Sequence, residues 1–323
     1  MSNVGVIGAG AFGTALACAL ARGNNSVTLW ARAADQVSAM NQTRMNTKYL
    51  PDVALPDGLS ATNALSDLAN MDAVLLVVPA QTTRAVIADP FFETLECPLL
   101  LCAKGLERDT GKLQSDIVAQ THKHLTTGVI SGPGFAREIA TGKPTALTLG
   151  FDDLTQGEAL QSLLSTPTMR LYLSDDPLGV QLGGALKNVF AIACGIVSGA
   201  GLGESAQAAL LTRGFAELTL LASKMGARAE TLSGLSGFGD LVLSCTSKQS
   251  RNFSFGYQVG QSADFAPTNT VEGIATASAI SALAKRHDID MPICFAVSEV
   301  LSGKLSVQDA LVRLMTRPLK REA

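Results

Sequence analysis

Short apolar runs, in which hydrophobic residues follow one another instead of alternating with polar ones, punctuate the first half of the chain. They fall at Asn3–Ile7, Ser26–Trp30, Ala73–Pro79, Pro98–Ala103 and Gly128–Ser131. Runs of strand length with no polar face belong in a parallel sheet that is covered on both sides. The helical stretch Thr14–Arg22 follows the first run, and the later ones return after helix-length spacers. Connections of that kind are right-handed crossovers, so the pattern predicts a doubly wound α/β sheet. A last strand is expected at Met169–Leu173. Beyond it the pattern turns helical, with helices predicted at Leu178–Ser198, Ala206–Met225, Val271–His287, Ile293–Ser302 and Val307–Thr316. The expected organisation is an α/β domain over residues 1–177 and an all-α domain over residues 178–323.

Length agrees, since 323 residues make about two ordinary domains. With 47% hydrophobic and only 16% charged residues the chain has ample material for two cores, which excludes intrinsic disorder. Twenty-five basic residues against 28 acidic ones leave a net charge of −3 and no electrostatic footprint for nucleic acid or an anionic membrane. The six cysteines form no C-x-x-C pair, and several, such as Cys18 and Cys194, lie in apolar runs; they read as reduced core thiols of a cytoplasmic protein. Of three histidines, His122 and His124 stand two apart in a polar stretch and read as surface residues, so no metal centre is expected. Residues 4–21 imitate a secretory signal. No Lys or Arg precedes them, however, and glycines and a threonine interrupt the run, which argues for a soluble chain without membrane insertion.

Gly8-Ala9-Gly10-Ala11-Phe12-Gly13 fits G-x-G-x-x-G, with a predicted strand before it and a helix after it. In that setting the string is the dinucleotide fingerprint of a Rossmann domain. The first glycine permits a tight turn, the second lets backbone approach a pyrophosphate, and the third lets helix pack on strand. The phosphates would meet the unsatisfied N–H groups of a helix starting near Ala11. A carboxylate about twenty residues on normally accepts from the ribose hydroxyls of NAD. Here the second strand ends in Leu29-Trp30-Ala31-Arg32, cationic where a carboxylate would repel a 2′-phosphate. NADP(H) is therefore the favoured cofactor, with NAD(H) as the alternative.

From Pro177 through Gly203 the only Lys, Arg, His, Asp or Glu is Lys187, inside Gly183-Gly184-Ala185-Leu186-Lys187-Asn188 on a helix apolar almost all round. A buried ammonium must find a partner, lose its proton or face a polar cavity. Gly183, Lys187, Ala191, Gly195 and Gly199 share one helical stripe, whose small members suit either a ligand or close helix packing. Hydride transfer to a carbonyl needs a proton donor, and with few histidines Lys187 is the candidate. Lys104 follows the strand at Pro98–Ala103, at the carboxyl end where open α/β sheets bind ligands. Two segments read as loops. Ser236–Leu241 holds Asp240 among glycines, able to pair with the buried lysine or to cap a helix, and Ser250-Arg251-Asn252 offers a guanidinium and two polar neighbours suited to one phosphate.

Seven segments then occur in a familiar order: Gly8–Ala15, Ala103–Glu107, Ser131–Ala136, Gly179–Asn188, Gly237–Leu243, Ser250–Asn252 and Val271–Gly273. Together they resemble the bacterial type of the NAD(P)-dependent glycerol-3-phosphate dehydrogenase family, over almost the whole chain. The resemblance implies an N-terminal Rossmann domain, a C-terminal all-α substrate domain, and interconversion of dihydroxyacetone phosphate and sn-glycerol 3-phosphate for phospholipid synthesis. By position it implies Lys187 as acid/base, with Lys104 and Asp240 beside it. It places the substrate on Lys104, Gly132, Gly134, Lys187, Asp240, Ser250, Arg251 and Asn252. It lines the cofactor with Gly8, Gly10, Ala11, Phe12, Gly13, Arg32, Lys104, Ala136, Arg251, Thr270 and Glu272. Gly134 departs from the family, which often has Thr or Ser there. Thr270 replaces a common aliphatic residue, and the stretch at 261–269 is short. A homo-oligomer is compatible with the chain. The alternatives are a β-hydroxyacid or ketopantoate-type dehydrogenase and a non-catalytic dinucleotide sensor.

Overall fold

A computed structural model describes residues 2–261 and 272–318. The strands are β1 (Asn3–Ile7), β2 (Ser26–Trp30), β3 (Met45–Asn46), β4 (Leu50–Ala54), β5 (Leu59–Thr62), β6 (Ala73–Leu76), β7 (Leu99–Leu101), β8 (Thr127–Ser131), β9 (Thr145–Gly150) and β10 (Met169–Ser174). Eight of them form one sheet in the order β10-β9-β8-β7-β6-β1-β2-β5, while β3 and β4 form a separate antiparallel pair. All neighbours in the large sheet are parallel except β8 and β9. From β1 the chain builds outward through β2 to β5 and then returns to β6 on the other side. The carboxyl ends of β1 and β6 therefore flank the point where strand order reverses, the usual ligand crevice of such sheets.

Burial explains why these strands are apolar without alternation. Ala73 and Leu75 of β6 join one core cluster with Val4 and Val6, while Val74 and Leu76 join another with Ile7. Successive side chains point to opposite faces, and both faces are covered. The covering helices are α1 (Ala11–Arg22), α2 (Ala34–Thr43), α3 (Thr83–Ile87), α4 (Gln114–Thr121), α5 (Ala136–Ala140) and α6 (Leu154–Leu164). The sequence pattern anticipates β1 and β2 to the residue but misses the short β3–β4 pair, the edge strand β5 and β9. β5 is only four residues long, and β9 enters antiparallel to β8, outside the crossover rule from which the predicted strands were read.

The remaining helices are α7 (Pro177–Gly199), α8 (Glu204–Lys224), α9 (Ala229–Leu232), α10 (Asp240–Thr246), α11 (Arg251–Gln261), α12 (Glu272–Arg286), α13 (Pro292–Leu301) and α14 (Val307–Met315). Residue 177 is where strand gives way to helix. Compactness groups the chain by other lines: one unit holds Met1–Lys104, Lys112–Gly184 and Ala227–Asp240, the other Gly105–Gly111, Ala185–Gly226 and Leu241–Ala323. Every described element of the second unit is a helix.

Helix α7 is long and apolar enough to cross a membrane, yet its most apolar window is wholly buried in the fold. Its small residues resolve the choice left open by the sequence. A Cβ on Gly195 would stand 2.2 Å from the carbonyl oxygen of Phe253, and one on Gly256 of α11 would stand 2.1 Å from that of Ile192. At that end the stripe lets two helix backbones touch. On α8, Glu217 is buried, and its carboxylate accepts the N–H groups of Ile293 (2.8 Å) and Cys294 (3.2 Å) in the first turn of α13. Burial pushes this carboxyl up to about 7, against the pull of those two bonds.

The six cysteines are free, and burial raises the thiols of Cys18 to about 11 and of Cys102 to about 12, which keeps them unreactive. One surface expectation is corrected. His124 is exposed, but His122 is buried, its ring beside Phe92 and its Nε2 2.7 Å from the Ile87 carbonyl oxygen. A carbonyl only accepts, so Nε2 carries the hydrogen. The polar neighbours in sequence concealed a ring that α4 turns inward at its end.

Candidate active site

In the first unit the chain leaves β1 through Gly8, whose φ of +119° suits glycine and whose added Cβ would stand 2.7 Å from the Val77 carbonyl oxygen. A Cβ on Gly13 would stand 1.9 Å from the Gly8 carbonyl oxygen, so helix and turn are in contact. Gly10 differs: a Cβ there would meet nothing within 4 Å, which leaves open space over the backbone. Gly10 is also the N-cap of α1, with no side-chain cap hydrogen bond. The Ala9 carbonyl is held by Gln36 Nε2 and Asn46 Nδ2, each at 3.0 Å, and Asn46 also donates to Thr14 Oγ1 at 2.8 Å. A pinned turn, an uncapped helix N-terminus and free volume above its glycine fit a pyrophosphate. Ala11 and Phe12 open α1, and Arg32 stands exposed two residues past β2.

Lys104 lies beyond β7. Its ammonium donates to the Gly132 carbonyl oxygen at 2.8 Å and to Asp240 Oδ2 at 2.7 Å, and sits 5.5 Å from the centre of the Phe12 ring. Asp240 is 1% exposed, and the Lys104 ammonium stands against its buried carboxylate. Gly132 has φ +145°, and a Cβ there would stand 3.0 Å from Leu147 Cα. Gly134 offers backbone only, with Ile139 Cδ1 2.8 Å from where its Cβ would be. Ala136 starts α5.

In the second unit Lys187 is 7% exposed, and its ammonium donates to Ser244 Oγ at 2.7 Å. Both segments read as loops prove helical: Leu235–Gly239 form a π-helical turn that runs into α10, and Ser250 opens α11. Asp240 starts α10, and Ser244 is one turn further along it. Ser250 caps α11, its Oγ accepting from the Phe253 N–H at 3.3 Å, so Arg251 and Asn252 form that helix's first turn. The error is physical: glycines and a polar triplet resemble a loop, but they also mark helix starts, and α11 shows its amphipathic face only after them. Arg251 is exposed, and no described residue pairs with its guanidinium. Asn252 Nδ2 donates to Asn188 Oδ1 at 3.0 Å. Of the expected cofactor residues, Thr270 lies outside the described residues, as does the side chain of Glu272, which begins α12.

Two family descriptions match this chain: the N-terminus of NAD-dependent glycerol-3-phosphate dehydrogenase over residues 3–156, and its C-terminus over residues 176–312. The chain belongs to the NAD-dependent glycerol-3-phosphate dehydrogenase family. Among relatives of this dehydrogenase family, glycerol-3-phosphate dehydrogenase (NAD(P)+) of Rhodospirillum rubrum is 48% identical over 100% of this chain and 94% of its own length. The protein of the same name from Roseobacter denitrificans is 48% identical, covering 99% of this chain and 100% of its own. The crystal structure of glycerol-3-phosphate dehydrogenase from Coxiella burnetii superposes with a TM-score of 0.91 at 37% identity, over 98% of this chain and 99% of that one.

For a glycerol-3-phosphate dehydrogenase, the structure gathers Lys104, Asp240, Gly132 and Phe12 in one unit, and Lys187 with Ser244 in the other. Ser244, Gln36 and Asn46 were not singled out in the sequence, and Asn188 entered only as part of the Lys187 motif. Ser244 was within reach, because a helix drawn from Asp240 puts residue 244 on the same face one turn on. Asn46 and Gln36 carried no signal, lying in polar stretches whose contact with the glycine turn is purely tertiary.

Proposed function

We propose that the chain reduces dihydroxyacetone phosphate to sn-glycerol 3-phosphate with Lys187 as proton donor and NADP(H) as the favoured cofactor. Its family makes it an NAD(P)-dependent oxidoreductase acting on a CH–OH group. Lys187 carries the mechanistic part: a 7% exposed ammonium on an apolar helix, held at 2.7 Å by the hydroxyl of Ser244. A side chain so placed is oriented in advance, because one of its three donors is committed.

When bound, reduced nicotinamide supplies the hydride that the carbonyl carbon takes up. Lys187 stabilises the negative charge developing on the carbonyl oxygen and delivers the proton; in the reverse direction its neutral amine accepts the hydroxyl proton. Arg251, with Ser250 at the start of α11, holds the phosphate through its planar fork of donors. Binding energy from that remote group fixes the carbonyl in place. Lys104, locked by Asp240 and the Gly132 carbonyl, adds positive charge near the Phe12 end of α1. Arg32 favours the 2′-phosphate of NADP(H). The product supplies phospholipid synthesis in the cytoplasm.

Replacing Lys187 by Ala tests this reading. Turnover of dihydroxyacetone phosphate, followed by reduced-nicotinamide absorbance, should fall by roughly 10²–10⁴-fold, while NADPH still binds in a fluorescence titration. Near-normal turnover would take Lys187 out of the chemistry.

A further inference from the structure

We infer that Asn252 is a positioning residue, whose amide fastens the starts of α11 and α12 to α7 beside Lys187. The inference rests on the reading that Lys187 donates the proton and Arg251 holds the phosphate.

Hydrogen-bond direction fixes the arrangement. The backbone N–H of Gly273 can only donate, and it lies 3.0 Å from the side chain of Asn252, which must present Oδ1. Asn252 Nδ2 then faces Asn188 at 3.0 Å, so Asn188 must present its own Oδ1. Neither amide can be reversed without setting donor against donor or acceptor against acceptor. Asn188 directly follows Lys187 and is 3% exposed, so the bond reaches the turn of α7 that carries the ammonium.

Close packing at Gly273 is an independent sign of the same junction. A Cβ there would stand 2.6 Å from Ile192 Cδ1, 2.7 Å from Asn252 Oδ1 and 3.0 Å from the Asn188 carbonyl oxygen. The start of α12 thus rests on α7 between residues 188 and 192, and only glycine admits that approach. Three helices converge on one amide, with its oxygen and one of its Nδ2 protons committed inside the protein. Its removal loosens the turn next to Lys187, which weakens proton delivery to any carbonyl. A pure phosphate ligand would matter only to substrates that carry phosphate.

The experiment compares dihydroxyacetone phosphate with dihydroxyacetone, using the full-length enzyme, NADPH and high enzyme concentration for the slower substrate. Asn252→Ala should lower kcat/KM for dihydroxyacetone about tenfold, the scale for losing two ordinary hydrogen bonds. Asn252→Asp keeps an acceptor for the Gly273 N–H, and Asn188 can turn its amide to donate to the carboxylate. It should retain more activity on dihydroxyacetone than the Ala variant while losing affinity for the phosphorylated substrate. If Asn252→Ala does not fold, Asn252→Ser, too short to span both partners, carries the same comparison. Unchanged dihydroxyacetone kinetics with only a raised KM for dihydroxyacetone phosphate would make Asn252 a phosphate ligand and overturn the inference. Arg251→Ala is the reference for a lost phosphate ligand. If its KM for dihydroxyacetone phosphate is normal, the anchor reading fails, and Asn252 is still judged on dihydroxyacetone.

Discussion

Glu217 gives the protein a pH-dependent stability that can be worked out from its surroundings. The side chain is 8% exposed, accepts two N–H groups of α13, and has its carboxyl raised from 4.5 to about 7. Burial is the largest cause and Asp290 adds to it; the two hydrogen bonds and Arg317, which itself pairs with Asp290, oppose it. An acid with a higher value in the folded state binds protons more readily there than in the unfolded chain. Stability must then fall as pH rises from about 4.5 to about 7, and level off above. At 1.36 kcal/mol for each pH unit the loss is on the order of 3 kcal/mol. Glu217→Gln removes the charge and keeps an oxygen for the Ile293 N–H, but its amide nitrogen cannot accept from Cys294, a cost that does not depend on pH. The thermal midpoint of the variant should therefore gain several degrees on that of wild type between pH 5 and pH 8. A difference between the two proteins that is the same at both pH values would refute the reasoning.

Three further outcomes are expected. Arg32→Glu should raise the KM for NADPH far more than that for NADH; equal effects in parallel assays would remove the 2′-phosphate role. Gly13→Ala places a Cβ 1.9 Å from the Gly8 carbonyl oxygen. It should cost about 1–3 kcal/mol of stability and weaken NADPH binding, and an unchanged melting temperature and titration would contradict the packing. Ser244→Ala removes a hydrogen bond to a charged group, worth about 1.5–3 kcal/mol, so turnover should fall roughly ten- to a hundredfold, with Thr restoring much of it. Wild-type turnover in the Ala variant would leave the hydroxyl without a part in catalysis.

Much of the fold was legible because its signals are short-range. Asn3–Ile7 and Ser26–Trp30 were readable as buried strands from composition alone, and the glycines at 8, 10 and 13 from the turn they must make. Lys187 stood out because it is the lone charged side chain of α7. Less legible was anything that depends on a distant partner. β9 pairs antiparallel with β8 in a sheet otherwise parallel at every junction, and α10 and α11 begin in glycine-rich or polar residues that also suit loops.

What the sequence by itself determined is therefore local: which segments form strands and helices, where the dinucleotide turn lies, and which lysine cannot avoid burial. These follow from contacts within a turn or a strand, where neighbours in the chain are neighbours in space. Only the tertiary structure decided which polar atoms meet. Lys104 pairs with Asp240 across 136 positions, Lys187 with Ser244 across 57, and Asn252 with Asn188 across 64. A buried donor or acceptor must be satisfied by whatever the fold brings beside it, and no local pattern says which distant segment that will be.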